Sequence, residues 1–292
     1  MVDEKRAYAY AIASVLMWAT VASAFKITLR YMEPFHLLFF SCMVATIILF
    51  FILLASHHFH GIWHRKAIPR SILLGFLNPF LYYNVLFLAY DLLPAQEAMT
   101  LNYMWPIVLT LLSIPLLKQK VGIKNIAALF ISFFGVIIIS THGNPLSFKF
   151  SNPVGVFLAL ASTIIWAIFW IFNVRDKRDE TVKLFLNFFF GMIFVTIAAI
   201  FIGIKIPNIY AMMGATYTGI FEMALAFTLW LKALQLAPQT AKVSNLIYLT
   251  PFLSMLCIYF FVGEKILPST FIGLLFIISG ILLQQWKGNS IT

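Results

Sequence analysis

Ten stretches of about 20 apolar residues, each long enough to cross roughly 30 Å of hydrocarbon, follow one another along this chain with short polar gaps between them. They fall near Tyr8 to Leu29, Phe35 to Ser56, Pro69 to Leu92, Gln96 to Leu117 and Val121 to Ser140. A second set lies near Pro153 to Val174, Leu184 to Ile204, Tyr210 to Leu231, Val243 to Val262 and Pro268 to Trp286. A helix satisfies its own backbone polar groups inside lipid, where no water can do so. The expected fold class is therefore an all-α membrane protein of ten transmembrane helices. Composition excludes the soluble alternative: 62% of the 292 residues are hydrophobic and only 10% charged, whereas a soluble domain carries about a quarter charged residues.

Charge then orients the spans. Lys26, Arg30, Lys149, Lys205 and Lys265 fall on one side of the alternating helices, and the other fifteen of the 20 Lys and Arg residues fall on the opposite side. Basic residues concentrate on the cytoplasmic side, so both termini are expected in the cytoplasm and the chain in the cell inner (cytoplasmic) membrane. The net charge of +10 is thus topological, since a nucleic-acid binder needs its basic residues on one solvent-facing surface. Cys42 and Cys257 lie inside apolar runs, far from any CxxC spacing, and indicate neither a disulfide framework nor a zinc site.

The two sets of five spans resemble each other. Ser14, Trp18 and Ala19 recur as Ser162, Trp166 and Ala167, and Gly75, Asn78 and Ala89 align with Gly219, Glu222 and Ala233. Tyr103, Pro106, Lys120, Ala128 and Gly135 align with Tyr248, Pro251, Lys265, Gly273 and Gly280. With an odd number of spans per repeat, the second copy enters the membrane from the opposite side. The chain is read as a single membrane domain of two inverted-topology repeats, residues 1–145 and 146–292. Carriers use that symmetry to exchange inward-open and outward-open states around a central site.

Depth along each helix, at 1.5 Å per residue, brings polar and aromatic residues to the midplane from the first, third, fourth, sixth, eighth and ninth spans. Trp18, Asn78, Tyr82, Trp105, Trp166, Glu222 and Tyr248 lie within roughly two turns of their span centres, and Asn102 and Tyr103 about a turn further out. Asn78 and Tyr82, Trp166 and Trp170, Thr218 and Glu222, and Ser244 and Tyr248 are spaced i, i+4 and are expected to share helix faces. Lipid cannot satisfy an amide or a carboxyl, so these groups should point into the bundle. Taken singly, each polar residue is as readily an interhelical hydrogen bond and each aromatic as readily packing; as a set they favour a cavity. Glu222 is the one acidic residue deep in a span. It is read as a proton carrier or an anchor for a substrate amine, against a structural hydrogen bond. Pro106 and Pro251 are expected to kink their helices in mid-span and to suit gating. His57, His58, His60 and His64 beside Arg65 and Lys66 read as a solvated basic loop rather than a metal site. No HExxH, G-x-S-x-G or Walker motif is present, so no enzyme chemistry, metal or cofactor is expected.

Several segments resemble a known family. The ten spans, the five-plus-five repeat, Leu249-Thr250-Pro251 and Gly263-Glu264-Lys265 are similar to the EamA-type drug/metabolite transporter superfamily over nearly the whole chain. Gln96-Glu97-Ala98 with Asn102-Tyr103-Met104-Trp105-Pro106 resembles the YddG-type aromatic amino-acid exporters, and Trp18 and Trp166-Ala167 fit that subgroup. The resemblance implies a carrier moving amino acids or similar metabolites outward, with Trp18, Tyr103, Trp105 and Trp166 lining its cavity. Two departures stand out: Lys118-Gln119-Lys120 replaces the Gly-Glu-Lys of the second repeat, and Glu222 has no place in the subgroup's pattern. The expected function is secondary transport, by alternating access, of amino acids or related small metabolites. Carriers of nucleosides, amines or drugs, a membrane-embedded enzyme and a sensory subunit are the rivals. The expected partners are a small-molecule substrate and the bilayer, with no nucleic acid; a monomer is compatible with both.

Overall fold

The structure, a computed structural model, describes residues 3–56, 68–117, 123–144, 146, 151–176, 178–237, 243 and 245–285. Among these it is all-helical. Seven helices are long and apolar enough to cross a membrane: α1 (Glu4–Thr28), α2 (Pro34–Ser56), α3 (Ile68–Leu92), α4 (Ala95–Leu116), α6 (Pro153–Asn173), α7 (Glu180–Ile202) and α8 (Ile209–Leu236). Three shorter apolar helices accompany them: α5 (Ala127–Ser140), α9 (Leu246–Val262) and α10 (Pro268–Leu283). Each matches an expected span. Two begin earlier than their apolar runs because polar caps extend them. Asp3 accepts from the Arg6 amide at 3.1 Å ahead of α1, and Asp179 accepts from Thr181 and Val182 at 2.9 and 3.3 Å ahead of α7, satisfying donors that the first turn leaves free. His57, His58, His60, His64, Lys118-Gln119-Lys120 and Ser244 lie outside the described residues.

Packing places α1 against α8 and α9, and α6 against α3 and α4. Helix α2 meets α7 and α8, α7 meets α3, and α5 pairs with α10. Small residues permit the closest approaches. A Cβ on Gly135 would stand 2.5 Å from the Gly273 carbonyl, and one on Gly75 would stand 2.5 Å from the Asn187 carbonyl. Without water to drive helix association in lipid, such close backbone packing is a main source of cohesion.

The helices carrying the midplane residues are irregular. In α3 the backbone at Asn78 is extended (φ −145°, ψ 119°), and residues Phe76–Leu81 form a wide turn. Pro79 causes this: its ring disfavours helical geometry in the residue before it. Asn78 and Tyr82 therefore do not share a helix face, contrary to the i, i+4 expectation. Helix α8 widens into a π-helical stretch at Thr218–Ala226. In α4 the helix is interrupted at Tyr103–Met104 and restarts at Trp105. In α9 a 3₁₀ turn, Asn245–Leu249, precedes Thr250–Cys257. Pro106 and Pro251 each occupy the first turn after one of these breaks, where the missing N–H costs no helical bond.

Charged and polar side chains tie the helix ends together in two groups. At one end, Lys26 Nζ donates to the Tyr90 and Leu93 carbonyls, both at 2.7 Å, and Arg30 donates to the Val262 carbonyl at 2.9 Å. Glu264 accepts from the Ala95 and Gln96 amides at 2.8 and 3.2 Å, capping α4. Gln96 closes the same joint, accepting from the Leu267 amide at 2.8 Å and donating to the Lys265 carbonyl at 3.1 Å. Buried Glu97 accepts from Ser151 at 2.6 Å and pairs with His142 at 2.5 Å. At the other end, Arg178 donates to Ser71 at 2.7 Å and pairs with Asp176 at 2.6 Å. Arg175 donates to the Leu116 carbonyl at 2.6 Å, and the Asp3 amide to the Leu236 carbonyl at 3.3 Å. Burial works against ionisation of Asp176, but its Arg178 hydrogen bonds and the charges of Arg178 and Lys183 outweigh that and hold its carboxyl below the usual carboxylate range.

Candidate functional site

An unbroken run of aromatic rings crosses the middle of the bundle. Tyr82 of α3 stacks on Trp166 of α6, with ring centroids 4.6 Å apart and planes 30° from parallel. Trp166 meets the edge of Phe227 of α8 at 5.5 Å, Phe227 meets Trp18 of α1 at 5.8 Å, and Trp18 meets Trp230 at 5.4 Å. Trp170 branches from Trp166 at 5.9 Å. Edge-to-face and stacked pairs of this kind contribute about 0.5–1.5 kcal/mol each beyond the area they bury.

Polar groups are few along this run. The Tyr82 hydroxyl donates to Asn102 Oδ1 at 3.4 Å, and Asn102 Nδ2 donates to Ser162 Oγ at 2.9 Å, joining α3, α4 and α6. Glu222 is buried in the π-helical stretch of α8, where its Oε1 accepts from the Tyr83 hydroxyl at 2.9 Å. Oε2 is also buried and makes no hydrogen bond of ordinary length; the Trp18 indole N–H is the other donor beside the carboxyl. Tyr103 faces Thr250 across the breaks in α4 and α9 and lies within electrostatic reach of Glu222. The arrangement offers ring faces for stacking and one carboxyl oxygen for a cation or a proton.

Of the residues expected from sequence, Trp18, Tyr82, Asn102, Tyr103, Trp166, Trp170 and Glu222 come together. Asn78 does not join them: it is fully buried at the α3 break, and both its amide atoms lack a hydrogen-bond partner among the described residues. Trp105 and Tyr248 are half-buried in the helices broken beside Tyr103 and Thr250. Sequence reasoning missed Tyr83, Phe227 and Trp230. Tyr83 directly follows Tyr82, and the roughly 100° turn between helical neighbours aims the two rings in different directions that depth along the helix does not distinguish. A separate groove of about 510 Å³, lined by Ser56, Asp179, Glu180, Thr228, Lys232 and Gln235, opens where α2 and α8 end and α7 begins. None of the expected midplane residues lines it.

A model of the EamA-like transporter family matches residues 5–141 and, separately, residues 153–284. The chain belongs to the EamA-like transporter family. As a family member it is a multi-pass membrane transporter, and most of the similar proteins are named as transporters. It is 23% identical over 284 residues to the uncharacterized transporter YvbV of Bacillus subtilis, covering 94% of this chain and 90% of that one. An uncharacterized transporter of Archaeoglobus fulgidus is 26% identical over 286 residues, covering 94% and 95%. Protein PecM of Dickeya dadantii is 25% identical over 224 residues, covering 74% and 73%. A solved crystal structure shares the fold, with a TM-score of 0.65 at 19% identity over 97% of both chains.

Proposed function

We propose that this EamA-like transporter is a secondary carrier that exports amino acids or related small metabolites across the cytoplasmic membrane by alternating access. In this reading all ten apolar helices cross the bilayer, both termini are cytoplasmic, and residues 1–145 and 146–292 are inverted repeats. Three observations support it. The family model matches each half on its own. The main helix contacts map onto one another when α1 is exchanged with α6, α2 with α7, α3 with α8, α4 with α9 and α5 with α10: α1 on α8 mirrors α6 on α3, and α2 on α8 mirrors α7 on α3. The loops bearing Lys26, Arg30, Lys205 and Lys265 gather at the end opposite Arg70, Arg175 and Arg178, as alternating spans require.

The aromatic run carries the substrate reading. It joins α1 and α3 of one half to α6 and α8 of the other, so a molecule held on these rings touches both moving parts. Trp18, Tyr82, Tyr103, Trp105, Trp166, Trp170 and Tyr248 supply stacking and cation–π contacts, Asn102 supplies a polar anchor, and Glu222 takes the proton or the substrate amine. Pro106 and Pro251 mark the breaks about which α4 and α9 would bend. The outward direction and the amino-acid class rest on the resemblance to YddG-type exporters. Flux of a panel of amino acids, amines and nucleosides through proteoliposomes tests the proposal. Movement of at least one aromatic amino acid, reduced by Trp166→Ala, is expected. Flux of nucleosides alone would move the substrate to another metabolite class, and no flux at all would contradict the carrier reading.

A further inference from the structure

Glu222 is surrounded by tyrosines and, among the described residues, has no cation beside it. The described groups in electrostatic or hydrogen-bonding reach of it are Trp18, Tyr82, Tyr83, Tyr90 and Tyr103, and no Lys, Arg or His is among them. A buried carboxylate without a protein counter-charge is held at high cost, a cost relieved by a cation from outside the protein, a proton or the ammonium group of a ligand.

Only one of its oxygens is free to receive it. Tyr83 is fully buried, and its hydroxyl occupies Oε1 at 2.9 Å. The Tyr83 ring is fixed in turn, edge-on to Tyr82 at 4.9 Å and tilted against Phe87 at 5.3 Å, while Phe87 packs on Phe25 at 4.7 Å. Oε2 remains buried without a hydrogen bond of ordinary length, beside Trp18.

We infer that Tyr83 is a positioning residue: it holds Oε1 so that Glu222 meets the ammonium group of an aromatic, amine-bearing substrate through Oε2, next to the Trp18 ring. The inference rests on the proposed transport site and deepens it. Tyr82 and Tyr83 are adjacent on α3 with ring centroids 4.9 Å apart, so the aromatic run and the Glu222 carboxyl are joined through neighbouring rings. The Tyr83–Glu222 bond also ties α3, just after its irregular segment, to the π-helical stretch of α8. Binding at Oε2 therefore acts directly on the joint between the halves.

Thermal-shift titration of the detergent-solubilised protein tests this with three probes: phenethylamine, phenylalanine and 3-phenylpropionate, the last lacking the amine. Tyr83→Phe removes the hydroxyl and keeps the ring, and an unchanged melting midpoint without ligand reports that it folds. Hydrogen bonds to charged groups are strong, so Tyr83→Phe is expected to weaken phenethylamine and phenylalanine by about tenfold or more and to leave any 3-phenylpropionate binding unchanged. In a Glu222→Gln background the same substitution should have no further effect. Equal weakening of all three probes, or undiminished weakening in the Glu222→Gln background, would overturn the positioning role and leave the transport site standing. If Glu222→Gln itself leaves phenethylamine binding intact, or if no probe stabilises the wild-type protein, the site reading falls and the inference with it.

Discussion

The middle of the bundle and the end tied by Glu264 are built from different interactions. At the midplane, rings meet rings across four helices and the polar groups are sparse, with Asn78 and one oxygen of Glu222 lacking hydrogen bonds of ordinary length. At the tied end, Glu264, Gln96, Lys26 and Arg30 take up backbone amides and carbonyls of α3, α4, α9 and the start of α10. Stacked rings can slide past one another at small cost, whereas charge-assisted hydrogen bonds must break. In the proposed carrier, the middle would sense ligand and the end would hold the conformation.

The largest expected effect tests the midplane. Glu222→Gln keeps the side-chain volume and removes the charge, so flux of an amine-bearing substrate should fall on the order of tenfold to a hundredfold, the scale of a charged hydrogen bond. Its melting midpoint should stay near that of the wild type. A large loss of stability with normal flux would reverse the assignment. Glu264→Ala probes the tied end with the opposite signature. Loss of the α4 cap should cost about 1–2 kcal/mol of stability and speed labelling of a cysteine introduced near Ala95, while substrate affinity changes little. Affinity falling as far as in Glu222→Gln would erase the distinction.

A smaller effect belongs to the opposite end. The Asp176 carboxyl is depressed by Arg178 and Lys183, so its contribution to stability is fully present above the ordinary carboxylate range. It is lost as pH falls through the depressed value. Melting midpoints of wild type and Asp176→Asn should therefore differ near neutrality and converge in acid. The smallest effect serves as a control. Lys205 and Glu33 pair at 3.2 Å, but both are largely exposed, so Lys205→Ala should change stability by less than about 0.5 kcal/mol and leave flux unchanged.

The apolar helices, seven of them long enough to cross a membrane, were legible in the sequence because a helix inside lipid must be continuously apolar, and that pattern is local. The capped starts at Glu4 and Glu180 were less so, since Asp3 and Asp179 extend helices past the apolar run. The break at Asn78 was written in the Asn78-Pro79 pair but was read as a helical face. Trp18, Tyr82, Trp166 and Glu222 could be placed by depth alone. Depth could not choose between Tyr82 and Tyr83, nor pick out Phe227 among the 31 phenylalanines. The Glu264 cap joins residues 168 and 169 apart in sequence, and no local spacing signals such a pair.

Counterflow in proteoliposomes is the most direct test of the central claim, that an aromatic site with Glu222 at its centre carries substrate between the two faces. Vesicles loaded with unlabelled phenylalanine and diluted into labelled phenylalanine should accumulate label transiently with the wild-type protein and fail to do so with Glu222→Gln. Equal accumulation by both proteins would contradict the account.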